Sequence, residues 1–316
     1  MRRLLGATAR ACVIAMSVLL VVIASANAQQ VHVLVITGLS GEAQYKAPFQ
    51  QAAALLADSA RRKWGVPDSS LIVLGEDPAA DPKHITGHST REDVAKAFIQ
   101  LSKRVAPGDV VLVFLNGHGS GEGQNSKVNL PGPDPTAAEY AGWITGFAKQ
   151  TVVFVNASSG SGDFLAVLSG RGRVIVTATK TAMERNEVMF ALPFVRGLTG
   201  SEADADKDGR VSVFEAFEFA KKEVARMYET DNRLQTEHAL VSDSTLARAV
   251  NFGARRRPVD AKVIALTAQR DSLQSQVATL RGRKATMDST AYSAELERLL
   301  LEIATRTQAI RAAATP

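Results

Sequence analysis

The chain has 316 residues, of which 46% are hydrophobic and 22% charged, with 11 prolines and 23 glycines. This is ordinary globular composition, and it excludes a disordered, collagenous or disulfide-stapled protein. The formal charge of +5 includes three arginines within the first 28 residues, a segment that holds no acidic residue. Without that segment 34 basic residues stand against 32 acidic ones, so the charge balance gives no reason to expect nucleic-acid binding.

The first 28 residues have the features of a secretory signal peptide. Arg2 and Arg3 form a basic start, residues 11–24 are an apolar stretch, and residues 26–28 (Ala-Asn-Ala) form a small-x-small cleavage site. The alternative is an uncleaved membrane anchor, but the apolar stretch is shorter than the ~20 residues that a span requires. We expect an exported protein, periplasmic or secreted, with no transmembrane segment after cleavage.

Cys12 is the only cysteine, and it lies inside this leader. The chain from Gln29 onward therefore has no thiol. This excludes disulfides, cysteine–zinc sites and a thiolate nucleophile in the mature protein.

Residues 29–254 alternate between apolar runs and amphipathic segments. The predicted strands are Val31–Thr37, Leu71–Leu74, Asp109–Leu115, Thr151–Val155 and Arg173–Thr177. The predicted helices are Phe49–Lys63, a segment from Ser89 or Thr90 to Arg104, and Val213–Met227. Near-continuous apolar strands are buried on both faces, and their alternation with helices favours a parallel sheet. The predicted fold class is three-layer α/β, with a mainly parallel sheet of about six strands.

Residues 255–316 differ in character from the rest of the chain. They open with the charged breaker Arg255-Arg256-Arg257-Pro258. Two stripes of apolar residues then follow at spacings of three, four and seven: Val263, Leu266, Leu273, Val277 and Leu280, then Tyr292, Leu296, Leu299, Ile303 and Ile310. Arg270 interrupts the first stripe. The pattern predicts a helical hairpin or coiled coil with a turn near residues 282–289, able to associate with the α/β domain, another copy or a protein partner.

Glycine-rich turns follow two neighbouring predicted strands. Residues 116–121 read Asn-Gly-His-Gly-Ser-Gly, and residues 156–162 read Asn-Ala-Ser-Ser-Gly-Ser-Gly. In an open parallel sheet, ligands bind beyond the carboxyl ends of the strands. We therefore expect both turns to face one crevice. The Gly-Leu-Ser-Gly turn at 38–41 lacks the G-x-G-x-x-G pattern, so no organic cofactor is expected.

This pairing of turns resembles the caspase and legumain superfamily of cysteine peptidases, in which one strand ends in His-Gly and a later one in Asp-Ala-Cys-x-Ser-Gly or Glu-Ala-Cys-x-Ser-Gly. The resemblance covers about residues 31–240. It includes the Asn-Leu-Pro-Gly-Pro-Asp run within residues 128–134 and the Thr-Glu-His-Ala run at 236–239, which are similar to exported bacterial relatives. The resemblance implies a caspase-like fold with a peptide-binding cleft.

The resemblance also implies roles for individual residues. His118 matches the general base, the amide of Gly119 matches one oxyanion donor, and the amide of Ser158 would be the other. Ser158 stands where the family has its nucleophilic cysteine, and Asn156 replaces the acidic residue. Because an alcohol needs a well-aligned base to attack, the serine indicates a catalytically inactive homologue that binds peptides or acts as a scaffold. The alternative is a serine peptidase or hydrolase that uses a His118–Ser158 dyad.

Residues 204–215 match the calcium-loop pattern D-x-D-x-D-G-x5-E at every specified position. The predicted ligands are the side chains of three aspartates, a serine and a glutamate and one main-chain carbonyl: Asp204, Asp206, Asp208, Ser212, Glu215 and the carbonyl of Arg210. Two explanations that need no metal stay open. Ser212-x-x-Glu215 is also the pattern of a helix capping box, and Asp-Lys-Asp-Gly is also a favourable turn sequence. The calcium ion would be structural.

Overall fold

The computed structural model describes residues 29–253 and 261–314. The predicted leader at residues 1–28 and the breaker Arg255–Pro258 lie outside the described residues. Among the described residues, no helix is both long and apolar enough to cross a lipid bilayer.

Nine strands occur in the described residues. They are β1 (Val31–Thr37), β2 (Leu71–Gly75), β3 (Gly87–His88), β4 (Val110–Asn116), β5 (Gly119–Ser120), β6 (Lys127–Val128), β7 (Thr151–Asn156), β8 (Arg173–Thr177) and β9 (Leu240–Val241). Seven of them form one sheet in the order β3-β2-β1-β4-β7-β8-β9, whereas β5 and β6 form a separate antiparallel pair. All neighbours in the large sheet are parallel except β8 and β9.

The sheet has seven strands where about six were predicted. The two edge strands, β3 and β9, contain only two residues each. Strands this short carry no apolar run, so periodicity cannot detect them. The predicted α/β class with a mainly parallel sheet is confirmed.

The described residues contain nine α-helices. They are α1 (Ala43–Arg62), α2 (Arg91–Ser102), α3 (Ala137–Trp143), α4 (Asp163–Leu168), α5 (Ala191–Thr199), α6 (Val213–Thr230), α7 (Ser244–Ala249), α8 (Ala261–Gly282) and α9 (Ser289–Ala314). Helix α1 begins six residues before the predicted Phe49. Its first turns are mostly exposed, so they lack the apolar stripe on which the prediction relied.

Apolar side chains on the two faces of the sheet form two separate cores. Along β4, Val110, Leu112 and Phe114 face one core, whereas Val111, Val113 and Leu115 face the other. Helices α1, α5, α6 and α7 contribute to the first core, and α2, α3 and α4 contribute to the second. The sheet is therefore the middle of three layers, and its parallel strands are buried on both faces as their sequences predict.

Helices α8 and α9 form the predicted hairpin and have a small apolar core of their own. Leu273, Val277, Leu280 and Leu299 are its buried members. The side chain of Val263, the first residue of the predicted stripe, lies outside the described residues. Arg270 does not join this core, and its contacts are given below.

Candidate functional site

The glycine-rich turns after β4 and β7 touch each other at one edge of the sheet. The parallel register pairs Leu115 with Asn156 at the ends of these strands. Just beyond them, the Ala157 amide donates to the Leu115 carbonyl at 2.7 Å. The Gly119 amide donates to Ser159 Oγ at 3.1 Å. The structure therefore brings His118, Gly119 and Ser158 into one small region, as their positions at neighbouring strand ends require.

Ser158 is held by the side chain of Asn156, two residues before it. Its hydroxyl donates to Asn156 Oδ1 at 2.6 Å, and its amide donates to the same oxygen at 3.1 Å. The residue is only 1% exposed. The hydroxyl proton thus points to a neutral amide oxygen, which has little basicity, and the amide predicted as an oxyanion donor is already in use.

His118 is oriented by a main-chain carbonyl and two aromatic rings. Its Nε2 lies 3.2 Å from the carbonyl oxygen of Ser40. The Tyr45 ring meets the imidazole edge-on with centroids 4.7 Å apart, and the Phe49 ring lies 5.3 Å away. Within the described residues, no hydrogen bond joins this imidazole to Ser158. A base that abstracts the serine proton needs such a bond, direct or through one water.

Both amides expected to form an oxyanion hole donate to oxygens of the chain itself. Gly119 donates to Ser159 Oγ, and Ser158 donates to Asn156 Oδ1. An oxyanion hole works because its donors are preorganised and free for the developing charge. In this arrangement a substrate oxygen would first have to displace both side chains.

The backbone approach at Gly119 is so close that a side chain there would force the two turns to move. A Cβ on Gly119 would lie 2.2 Å from the Ser159 carbonyl oxygen and 3.1 Å from Ser158 Oγ. The glycine therefore permits the contact between the two turns. This requirement holds whether or not the site carries out chemistry.

Two segments that carry the resemblance lie against the histidine turn and the serine turn. The Asn129 amide donates to the His118 carbonyl at 2.8 Å, so the run at 128–134 lies against the histidine turn. On the other side, the Gly160 amide donates to the Glu184 carbonyl at 2.8 Å. His238 Nδ1 lies 2.8 Å from Glu184 Oε1. The Thr-Glu-His-Ala run therefore anchors the loop that covers the serine turn.

The predicted calcium loop folds with its three aspartates together. One carboxylate oxygen from each of Asp204, Asp206 and Asp208 lies within 4.8 Å of the others. The Gly209 amide donates to Asp204 Oδ2, and Gly209 has a φ of 85°, a left-handed conformation that suits glycine. Burial, and then the charge of Asp206, raise the pKa of both Asp204 and Asp208.

The other predicted ligands have additional partners. Glu215 Oε2 accepts from the amide and hydroxyl of Ser212, and the Ser212 hydroxyl accepts from the Glu215 amide, which is the capping box at the start of α6. Glu215 Oε1 accepts from the Ala205 amide at 3.0 Å. Burial and the charge of Asp206 raise the pKa of Glu215 to about 7. The Arg210 amide donates to Asp208 Oδ1.

Two observations indicate that the loop can hold a calcium ion. Oxygens that bind one Ca²⁺ at 2.3–2.6 Å lie within about 5 Å of one another, and the three aspartate oxygens satisfy this condition. Asp204 is 9% exposed, and its Oδ1 is buried without a hydrogen-bond partner. A buried carboxylate oxygen without a partner is costly unless a cation or water meets it.

Arg270 of α8 reaches this loop from the C-terminal hairpin. Its Nη1 donates to Asp206 Oδ2, and Nε and Nη2 donate to Asp271 Oδ1 at 3.0 and 2.6 Å. Arg270 is 8% exposed. Sequence reasoning noted this arginine only as a break in an apolar stripe. A charged residue in the middle of an apolar stripe was the signal that its partner lies elsewhere.

Two other contributors to the site were missed by sequence reasoning. Ser159 caps the Gly119 amide, and the Ser40 carbonyl holds His118. Neither role has a sequence signature, because one depends on a hydroxyl rotamer and the other on a main-chain atom. Comparison with known proteins adds no further residue, since no family model and no curated protein matched this sequence.

Proposed function

We propose that this chain is an exported, catalytically inactive homologue of caspase- and legumain-like peptidases, which binds a peptide or protein segment in its crevice. One observation carries the absence of catalysis: the amides of Gly119 and Ser158 are both occupied by side chains of the protein. The direction of the Ser158 hydroxyl, toward Asn156 and not toward His118, supports the same conclusion.

An exposed apolar side chain near the serine turn offers a contact for such a segment. Met183 is 69% exposed on the loop that covers the serine turn. The neighbouring Arg185 reaches across to Glu122, with Nη2 and Oε1 3.4 Å apart. An exposed methionine beside an ion pair is suited to anchoring an apolar peptide side chain.

The first experiment is a cleavage assay with a broad peptide library, in which the wild-type chain is compared with Ser158→Ala and His118→Ala. We expect no cleavage above that of the two variants. Cleavage that is lost in both variants would establish the serine hydrolase instead.

Binding is tested by selecting displayed random peptides on the wild-type chain. Peptides that use the crevice should lose affinity about tenfold or more for Met183→Asp, since a charge would replace the apolar anchor. Leu301→Asp is the matched control, because Leu301 is also an exposed apolar residue but lies on α9. If every selected peptide binds Met183→Asp normally, the crevice is not the binding face.

We also propose a calcium site in the loop at 204–215, supported by the partnerless Oδ1 of Asp204. When bound, the ion would be held by Asp204, Asp206 and Asp208 and would stabilise the start of α6. Titration calorimetry should give heat with millimolar calcium for the wild type and none for Asp204→Asn. Absence of heat in the wild type would remove the site.

A further inference from the structure

We propose that Arg270 and a calcium ion compete for the carboxylate of Asp206, so that calcium binding releases the C-terminal hairpin from the α/β domain. This inference rests on the proposed calcium site. It goes beyond that site because it assigns the loop a second, protein-borne cation and gives the hairpin a docked and a released state.

The first step of the argument is the position of the guanidinium. Arg270 Nη1 donates to Asp206 Oδ2, and Asp206 is the second of the three aspartates that converge in the loop. The side chains of Arg270 and Asp206 are 10% and 12% exposed. A positive group thus already offsets part of the negative charge that a calcium ion would otherwise neutralise. Calcium coordination by Asp206 and the pair with Arg270 use the same carboxylate.

The second step is that, in the described part of the chain, the hairpin's apolar side chains pack mainly against each other and not against the domain. The apolar stripes of α8 and α9 pack against each other and form a core separate from the two cores of the domain. The loop and α8 border an open pocket of about 210 Å³, which Asp206, Glu215 and Arg270 line. Two further lining atoms, Thr267 Oγ1 and Gln274 Oε1, are buried without a protein partner. This part of the contact is polar and has room for water, so separating it exposes little apolar surface.

The third step is the positive charge around the contact. Arg248 of α7 lines the same pocket, and its guanidinium lies 3.6 Å from the centroid of the Phe214 ring. Burial, and then the charge of Arg270, lower the pKa of Arg248. Docking therefore holds two arginines close together, and Asp206 of the loop and Asp271 of α8 compensate the charge of Arg270. A divalent ion that takes Asp206 removes the domain's part of that compensation and leaves Arg270 paired only with Asp271 of its own helix, among the described residues.

The coupling must be reciprocal: if calcium weakens docking, docking weakens calcium binding by the same factor. Removing the guanidinium should therefore tighten calcium binding. The expected gain for Arg270→Gln is about 5- to 150-fold in Kd, the usual range for coupled sites. Arg298→Gln is the matched control, since Arg298 lies on α9 and pairs there only with Glu295 and Glu302 among the described residues.

The experiment combines calcium titration calorimetry with a distance measurement on the full chain. Cys12→Ser removes the sole native cysteine, and Thr245→Cys on α7 with Ser275→Cys on α8 places one label on each side of the contact. Both residues are exposed, and both line one cavity between the domain and the hairpin. In the wild type, calcium should lengthen the distance between the labels. In Arg270→Gln, the distance should be long before calcium is added.

Asp204→Asn separates the two proposals, because it removes a calcium ligand but keeps the pair between Arg270 and Asp206. In this variant, the labels at positions 245 and 275 should stay close together at all calcium concentrations. Equal calcium affinity of Arg270→Gln and wild type, or calcium heat with no change in distance, would overturn the competition while the calcium site stands. No calcium heat in wild type or Arg270→Gln would overturn both.

Discussion

Asn156 Oδ1 accepts two hydrogen bonds from Ser158, one from the hydroxyl at 2.6 Å and one from the amide at 3.1 Å. This arrangement makes Ser158 part of a local structural motif. The carboxamide holds the turn after β7 in shape, as an aspartate or asparagine commonly does for residues two positions on. Asn156 and Ser158 therefore form one structural unit.

Asn156→Ala should destabilise the fold more than Ser158→Ala. The first change leaves a buried amide and a buried hydroxyl without their acceptor, which costs about 2–4 kcal/mol of unfolding free energy in all. The second removes one hydrogen bond and leaves the amide paired, at a cost of about 1 kcal/mol. Urea denaturation measures both. The double variant should lose less unfolding free energy than the two single variants added together, because the two side chains are direct partners. A loss in Asn156→Ala no larger than that in Ser158→Ala would contradict the motif.

Ser158→Cys alone should not produce an activated thiol. The site is 1% exposed, the imidazole of His118 is bonded to the Ser40 carbonyl, and a thiolate needs a nearby positive charge or donors. In a Cys12→Ser background, we expect iodoacetamide to alkylate Ser158→Cys at least about tenfold more slowly than the exposed Ser275→Cys at neutral pH.

Rapid alkylation of Ser158→Cys that disappears with His118→Ala would instead reveal a working thiolate–imidazolium pair. Hydrolysis also needs the Gly119 amide, which Ser159 occupies. Ser158→Cys combined with Ser159→Ala is therefore the variant in which peptide cleavage would first be detected.

The sequence predicted the layers of the fold better than the chemistry of the site. Runs such as Val110–Leu115 specify strands buried on both faces, and the two core faces of β4 follow from simple alternation. The parallel order then forces residues 118 and 158 to one sheet edge. What remained open was which atom each polar group meets, because that depends on rotamers: Ser158 faces Asn156 and His118 faces a carbonyl. For a long-range pair such as Arg270 with Asp206, the arginine interrupts an apolar stripe, but nothing near it in the sequence identifies the partner.

Gly119→Ala should be costly although alanine is the smallest possible addition. The new Cβ would lie 2.2 Å from the Ser159 carbonyl oxygen, so one of the two turns must move. We expect a loss of about 1–3 kcal/mol in unfolding free energy. Gly142→Ala in α3 is the control, since its Cβ would meet nothing within 4 Å, and alanine there should stabilise the helix by up to about 1 kcal/mol. Equal stability of the two variants would show that the turns do not press together.

Glu237 should make the fold less stable as the pH rises toward neutrality. It is 2% exposed and its Oε1 accepts from the Met189 amide at 2.8 Å. Burial raises the pKa of this carboxyl from 4.5 to about 7. Between these values the folded chain keeps a proton that the unfolded chain has released, so the unfolding free energy falls with increasing pH. The loss of unfolding free energy is complete above pH ~7 and amounts to at most about 3 kcal/mol.

Glu237→Gln should remove this part of the pH dependence, because glutamine can still accept from Met189 and does not titrate. Urea denaturation between pH 4.5 and 8 should show wild type and Glu237→Gln diverging as pH rises, with the variant more stable above neutrality. Glu297→Gln, on the exposed face of α9, is the control, and its unfolding free energy should change with pH as that of the wild type does. If the unfolding free energy of Glu237→Gln also changed with pH in the same way as that of the wild type, the buried carboxyl of Glu237 would have to be ionised at no cost. The Thr-Glu-His-Ala run would then be held to the start of α5 by a charge and not by a neutral acid.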